Sequence, residues 1–369
     1  DPYSISDNNI TALYVDRSGV LWVGSSKIDK ASVINTGMDF YSTRDPETKG
    51  GEYSIVKAFA SGGDNRIWVG CSDGIVAFDI KGDRYIRDSK ITNLQYTYND
   101  FLFKSNSILS LCSTPSGLLV GTDDAGLIVF SKESLELDRG HASYRFYNNQ
   151  TPIKILGNKV NCLCPSKKYP QIVWLGTMQN GFSKVNIDNG KVVSIENFRA
   201  SETGLADDNI RDILEDSKGI VWIATQKGLS RFDPEKNEFQ SFYARKNENS
   251  INDNVVNCLY EDVSGNLWVG TNTGLNKKIE VIKSDGESTV SFKRFPHINY
   301  LNNSLVMNIL EGDSSQLLIG FYDVLVRFDY SNEEIVDKFY MKEYVHLGIE
   351  RNSAFSDYRG KLFLGGRHG

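Results

Sequence analysis

Asn254-Val255-Val256-Asn257-Cys258-Leu259-Tyr260-Glu261-Asp262-Val263-Ser264-Gly265-Asn266-Leu267-Trp268-Val269-Gly270-Thr271-Asn272-Thr273-Gly274-Leu275 is the stretch that decides the fold. It reads as a short strand, an Asp-x-Ser-Gly corner, a second strand centred on Trp268, and a second turn ending in Gly274-Leu275. The corner is hairpin chemistry, in which Asp bonds its own backbone and Gly supplies a positive φ. The unit recurs. All five tryptophans of the chain stand in the same pattern, Leu21-Trp22-Val23-Gly24, Ile67-Trp68-Val69-Gly70, Val173-Trp174-Leu175-Gly176, Val221-Trp222-Ile223-Ala224 and Leu267-Trp268-Val269-Gly270. Three further copies, Leu119-Val120-Gly121, Leu318-Ile319-Gly320 and Phe363-Leu364-Gly365, carry another apolar residue in place of Trp.

The last residue of the pattern falls at 24, 70, 121, 176, 224, 270, 320 and 365, so successive spacings are 46, 51, 55, 48, 46, 50 and 45. The flanks repeat as well. Asn9 to Gly19 and Asn209 to Gly219 read as an inner strand ending in an acidic turn, while Ser72 to Asp79 and Gln226 to Asp233 read as a turn and a third strand. Phe239-Gln240-Ser241-Phe242-Tyr243 and Phe292-Lys293-Arg294-Phe295 supply a fourth. Four short strands per unit at this period cannot bury both sheet faces alone, and stacking such sheets around an axis does so. The expectation is an all-β chain, a β-propeller of four-stranded antiparallel blades. Seven blades are favoured, and eight motif copies make eight possible. The repeats are placed at about 9–50, 54–95, 107–150, 158–200, 209–250, 254–300, 304–345 and, in part, 351–369, so that one propeller segment runs over 1–369. The strand before each corner is expected innermost. Trp22, Trp68, Trp174, Trp222 and Trp268 are expected between blades, where a large aromatic with one N–H to satisfy packs well.

Asn254 to Leu275 resembles the two-component regulator propeller repeat almost throughout, and Asn9 to Gly24 and Asn209 to Asp233 resemble it closely. The copies at 107–130, 158–186 and 304–329 are degenerate, with Trp lost in two and the corner replaced by Lys167-Lys168-Tyr169-Pro170 in the other. The resemblance implies a periplasmic sensor region of a hybrid two-component system, with this segment as its second, membrane-proximal propeller. It implies partners of three kinds: an oligosaccharide or glycan fragment, an adjoining propeller and β-sandwich of the same chain, and a second copy in a homodimer. A kinase is expected only in regions beyond this segment.

Composition agrees with a packed protein. Of 369 residues, 40 % are hydrophobic and 24 % charged, which suffices for a sizeable core. A formal charge of −6 offers no broad cationic face for nucleic acid. No apolar run approaches the ~18 residues of a membrane span. The chain begins at Asp1 without Met, and an excised or processed segment is expected. Five cysteines, Cys71, Cys112, Cys162, Cys164 and Cys258, form no disulfide framework and no zinc pattern.

No catalytic, metal or cofactor signature stands out. The four histidines, His141, His297, His346 and His368, are scattered, and neither a nucleophile elbow nor a phosphate loop is present. Asp123-Asp124 and Asp207-Asp208 read as turn carboxylates. The expectation is no catalysis and no cofactor. Two entry loops carry aromatic rings beside Asn, Asp or Lys, a composition that suits sugar rings. Tyr96, Tyr98, Phe101 and Phe103 lie on one, and His297 and Tyr300 on the other, as the candidate ligand or partner face. A glycan lyase or hydrolase and an architectural spacer are the alternative functions.

Overall fold

The structure, a computed structural model, describes residues 12–15, 20–24, 28–32, 55–63, 65–72, 74–81, 84–87, 107–136, 144–246, 249–282, 288–298, 300–312, 315–340, 349–356 and 361–366. The chain divides into two units, Asp1–Tyr41 and Ser42–Gly369. The described part of the first is an antiparallel sheet of β1 (Ala12–Val15), β2 (Val20–Gly24) and β3 (Ile28–Ser32), with Trp22 opposite Tyr14 and Lys30.

Among the described residues the second unit holds six four-stranded antiparallel blades. Blade one is β4 (Val56–Ser61), β5 (Arg66–Cys71), β6 (Gly74–Lys81) and β7 (Arg84–Arg87). Blade two is β8 (Ile108–Thr114), β9 (Gly117–Thr122), β10 (Leu127–Ser131) and β11 (Tyr144–Tyr147), with the short helix α1 (Lys132–Glu136) after β10. Blade three is β12 (Val160–Pro165), β13 (Ile172–Thr177), β14 (Phe182–Asp188) and β15 (Lys191–Phe198). Blade four is β16 (Ile210–Glu215), β17 (Val221–Thr225), β18 (Gly228–Asp233) and β19 (Glu238–Phe242). Blade five is β20 (Val256–Glu261), β21 (Leu267–Thr271), β22 (Gly274–Ile282) and β23 (Ser288–Arg294). Blade six is β24 (Asn308–Glu311), β25 (Gln316–Gly320), β26 (Val324–Asp329) and β27 (Glu334–Tyr340).

The blade count corrects the expectation of seven or eight. The motif marks only an inner pair of strands, so counting motifs overcounts complete blades. Copy one lies in the first unit, and copy eight supplies the two-stranded sheet β28 (Ile349–Ser356) and β29 (Leu362–Gly366). That sheet lies between blade six and blade one. On one side Ile349 N–H donates to Tyr322 O at 3.1 Å, and Asn308 Nδ2 donates to Glu350 O at 2.8 Å. On the other, Phe59 lies 6.1 Å from the rings of both Phe355 and Phe363. Gly365 fits against Val56 so closely that a Cβ there would meet Val56 Cγ1 at 2.7 Å. The inner strands β4, β8, β12, β16, β20, β24 and β28 thus follow one another around a central channel.

The core lies between blades. Trp68, Trp174, Trp222 and Trp268 are all buried. Trp174 of blade three packs edge-on against Phe232 of blade four at 6.0 Å, and Trp268 of blade five against Phe328 of blade six at 6.3 Å. The Trp22 side chain lies outside the described residues. Gly176 shows why the pattern ends in glycine. A Cβ there would stand 2.5 Å from both Cys162 Sγ and Ile210 Cγ2, at the convergence of blades three and four.

Candidate functional site

The inner strands share an irregularity that shapes the channel. In β4, β8, β12, β16 and β20 the inner strand advances two residues while its neighbour advances one, between Val56 and Ala58, Ile108 and Ser110, Val160 and Cys162, Ile210 and Asp212, and Val256 and Cys258. Each bulge inserts one residue, respectively Lys57, Leu109, Asn161, Arg211 and Asn257. Bulges re-aim side chains out of the ladder. Blade two places an apolar residue there, and the other four blades place a polar or charged one. In β28 the departure is larger: from Ile349 to Ala354 the strand runs five residues against two in β29, and Arg351 lies within that excursion.

The polar members form a collar at the start of the inner strands. Asn161 Nδ2 donates to Ile210 O at 2.9 Å, joining blade three to blade four. Arg211 Nη1 donates to Asn257 Oδ1 at 2.8 Å, joining blade four to blade five, and its Nε donates to Gln226 Oε1 at 2.8 Å. Asn257 Nδ2 in turn donates to Asn272 Oδ1 at 3.1 Å. Gln226 and Asn272 stand in the turns between the second and third strands, so the collar sits at that end of the ring.

Asp212 follows Arg211 and turns into the gap between blades. Its Oδ1 accepts from Ile213 N–H at 2.9 Å and its Oδ2 from Leu259 N–H at 2.8 Å. The residue keeps some exposed surface, yet its carboxylate is enclosed. Burial raises its pKa to about 7, against the opposing pull of the two N–H groups and of Arg351. Burial lowers Arg211 to about 10, with the positive charge of Arg351 acting in the same direction, and burial also lowers Arg351. Cys162 and Cys258 are pushed up by burial and then by the Asp212 charge, and Cys164 rises to about 12. Thiols held protonated in this way are packing groups rather than nucleophiles. Among the described residues no group of three His, Cys, Asp or Glu is arranged to hold a metal.

The aromatic loops fall differently. Tyr96, Tyr98, Phe101 and Phe103 lie outside the described residues. His297 is exposed in the turn after blade five. Tyr300, at φ 72°, rests its ring 6.0 Å from Phe321 and beneath Lys338 Nζ at 4.9 Å. Its hydroxyl meets that of Tyr340 at 3.2 Å. Tyr300 therefore links blades five and six on the outer side, and Tyr322 and Tyr340 beside it are exposed. The Tyr300 side chain meets blade six, while the backbone of the same loop bonds beside the collar, Asn303 N–H donating to Thr273 O at 2.8 Å. The collar itself had a signal in the sequence, because a polar residue follows the first buried residue of the strand in Val56-Lys57, Val160-Asn161, Ile210-Arg211 and Val256-Asn257. In blade two the pair is Ile108-Leu109, and the signal is missing there.

Comparison with known proteins agrees with this architecture. Residues 4–27, 204–227 and 250–273 match the two-component regulator propeller family. Over 197 residues the chain is 24 % identical to Histidine kinase P4 of Formosa agariphila, covering 52 % of this chain and 13 % of that protein. The fold is similar to two extracellular domains of Bacteroides thetaiotaomicron proteins described as hybrid two-component systems. One has a TM-score of 0.69 and 18 % identity, over 100 % of this chain and 45 % of that one. The other has a TM-score of 0.65 and 17 % identity, over 99 % and 46 %. A virginiamycin B lyase from Staphylococcus aureus, solved with quinupristin, has a TM-score of 0.58 and 12 % identity, over 85 % of this chain and 92 % of that one. The chain spans less than half the length of the two ectodomains it resembles and a small fraction of the curated kinase.

Proposed function

We propose that this chain is a propeller of the sensor ectodomain of a hybrid two-component system, exposed on the outer side of the inner membrane, that recognises an oligosaccharide and relays its binding without catalysis. The observation that carries the reading is the joint occurrence of regulator propeller repeats at 4–27, 204–227 and 250–273 with a ring whose fold resembles two such ectodomains over its whole length. The physical design suits relay. Indoles buried between neighbouring blades make the ring stiff, so it transmits a change of packing as a body. A ligand then shifts signalling only by binding two arrangements of a dimer, or of adjoining domains, unequally. The exposed tyrosines at blade six and the loops bearing Tyr98, Phe101, His297 and Tyr300 are the proposed partner or ligand residues, and a homodimer is the proposed assembly.

The test is a transcriptional reporter for the output of the full-length protein that carries this chain. One class of oligosaccharide switches the reporter on, and deleting blades three to six in frame abolishes the response while the protein still accumulates in the membrane. An unchanged response in that deletion rules the reading out.

A further inference from the structure

In blades one to five the turn between the second and third strands returns beside the bulge of the same blade. Ser72, Asp123, Met178, Gln226 and Asn272 each donate their backbone N–H, at 2.9–3.1 Å, to Ile55 O, Ser107 O, Lys159 O, Asn209 O and Val255 O, the residue two before the bulge. Each of these blades therefore places two residues at the collar, one from the bulge and one from the turn. They divide it into two arcs. The neighbouring blades two and three supply Leu109 and Met178, both apolar and half-buried. Asp123, the turn residue of blade two, is taken up by Lys159 Nζ at 2.5 Å. Blades four and five supply a hydrogen-bonded relay that runs Gln226, Arg211, Asn257, Asn272.

The relay fixes the direction of its end amides. Gln226 Oε1 accepts from Arg211 and Asn272 Oδ1 accepts from Asn257, so the carbonyl is used at each end and the amino group is the part left over. Gln226 is half-buried and Asn272 exposed, and neither amino group makes a hydrogen bond among the described residues. Asn161 donates its Nδ2 to Ile210 O, and its Oδ1 accepts from none of the described residues. The collar thus offers two fixed donors and one acceptor beside an apolar arc.

We propose that the collar binds one ring of a neutral sugar. Its hydroxyls accept from Gln226 Nε2 and Asn272 Nδ2 and donate to Asn161 Oδ1, and its C–H face lies against Leu109 and Met178. A few directed polar groups beside an apolar surface are what a small-ligand site requires. A hydroxyl both donates and accepts, whereas an ionised carboxylate has no proton to give Asn161 Oδ1. The ligand class rests on the oligosaccharide reading. Binding is assigned to the mouth of the channel, which leaves the blade-six tyrosines to a partner.

The experiment titrates the isotope-labelled chain with glucose, galactose, mannose and xylose, with glucuronate as the charged comparison, and follows the side-chain amide resonances by NMR. At least one of the four neutral sugars shifts the Gln226 and Asn272 resonances saturably, and glucuronate binds no more tightly than the best of them. Gln226→Glu and Asn272→Asp keep the oxygen that the relay uses and replace only the amino group. Both keep the wild-type thermal midpoint and weaken that sugar about tenfold, the loss of one hydrogen bond. Leu109→Asn leaves the relay untouched, folds because Asn already stands at the bulges of blades three and five, and weakens the sugar as well. No saturable shift with any of the four, unchanged affinity in all three variants, or tighter binding of glucuronate overturns the site. The two readings fail separately. A full-length reporter that an oligosaccharide still induces normally in Gln226→Glu and Asn272→Asp removes the site and leaves the sensor. A reporter that no oligosaccharide induces, while a sugar still shifts both resonances, removes the sensor reading and leaves the site.

Discussion

The indole N–H of Trp174 in blade three donates to Glu215 Oε2 at the end of the inner strand of blade four, at 2.6 Å. In the two best-preserved units the same role falls to the blade's own corner. Trp222 Nε1 donates to Asp216 Oδ2 at 2.8 Å and Trp268 Nε1 to Asp262 Oδ2 at 2.9 Å. Each Asp also caps its turn, Asp216 accepting from Lys218 and Ile220 N–H, and Asp262 from Ser264 and Asn266 N–H. Blade three lost that corner to Lys167-Lys168-Tyr169-Pro170, and Glu215 Oε1 accepts from Lys168 N–H at 3.0 Å instead. One carboxylate from the neighbour thus performs both tasks of the missing Asp.

Glu215→Ala should destabilise the chain by about 2–4 kcal/mol, because it leaves a buried indole N–H and a backbone N–H without acceptors. Glu215→Gln keeps one acceptor and should lose less. Urea midpoints of the two variants check the order, and equal midpoints for Glu215→Ala and wild type would falsify the substitution of roles.

Trp222→Ala and Trp268→Ala each remove a buried aromatic between blades. The expected cost is about 3–5 kcal/mol per variant. Near-native denaturation midpoints for both would mean that the rings contribute little to holding the blades together.

Much of this was legible in the repeats. The strand before the corner, expected innermost in each unit, is β8, β12, β16 and β20 in blades two to five, and Trp68, Trp174, Trp222 and Trp268 are buried. The number of blades was not, since a motif spanning two strands cannot say whether two more follow. The collar escaped as well. A bulge shifts one residue out of the alternation, and in sequence Arg211 and Asn257 look like ordinary solvated positions between apolar neighbours. Leu109 at the same position of blade two blurs the pattern further. Arg351 was harder still, because the excursion in β28 has no counterpart in the other repeats. The Trp174–Glu215 pair joins a degenerate corner to the next unit, which no single repeat encodes.

Asp212 should give the stability a pH dependence of known sign. In the folded chain burial raises its pKa to about 7, whereas an unfolded aspartate titrates near 4. Between those values the folded state holds the extra proton, so this group's contribution is present at acid pH and is lost as pH rises toward 7, levelling off above it. An upper bound is roughly 4 kcal/mol. Arg351 opposes the shift, and the thiols of Cys162, Cys164 and Cys258 stay neutral throughout. Asp212→Ser places there the residue that Ser110 and Ser353 supply in other sheets, and should remove the slope. Thermal melts of both proteins from pH 5 to pH 8 give the comparison, and parallel curves would contradict the assignment.

On the outer side, Tyr300→Phe removes one hydroxyl contact with Tyr340 and should shift the midpoint by less than about 1 kcal/mol. Tyr300→Ala also strips the ring from Phe321 and Lys338 and should cost more. If both variants fold and the full-length reporter still responds normally, the blade-six tyrosines are packing between blades and not a partner face.

Isothermal titration calorimetry of the purified chain with neutral and acidic oligosaccharides tests recognition without catalysis most directly, because binding and turnover leave different traces. Recognition without catalysis predicts, for at least one oligosaccharide, heat pulses that saturate and return to baseline, and a level baseline for every sugar after saturation. A baseline displaced continuously in proportion to protein concentration, and restored by substitution in the collar, would show an enzyme. Silence across the whole panel would show that this ring recognises no sugar.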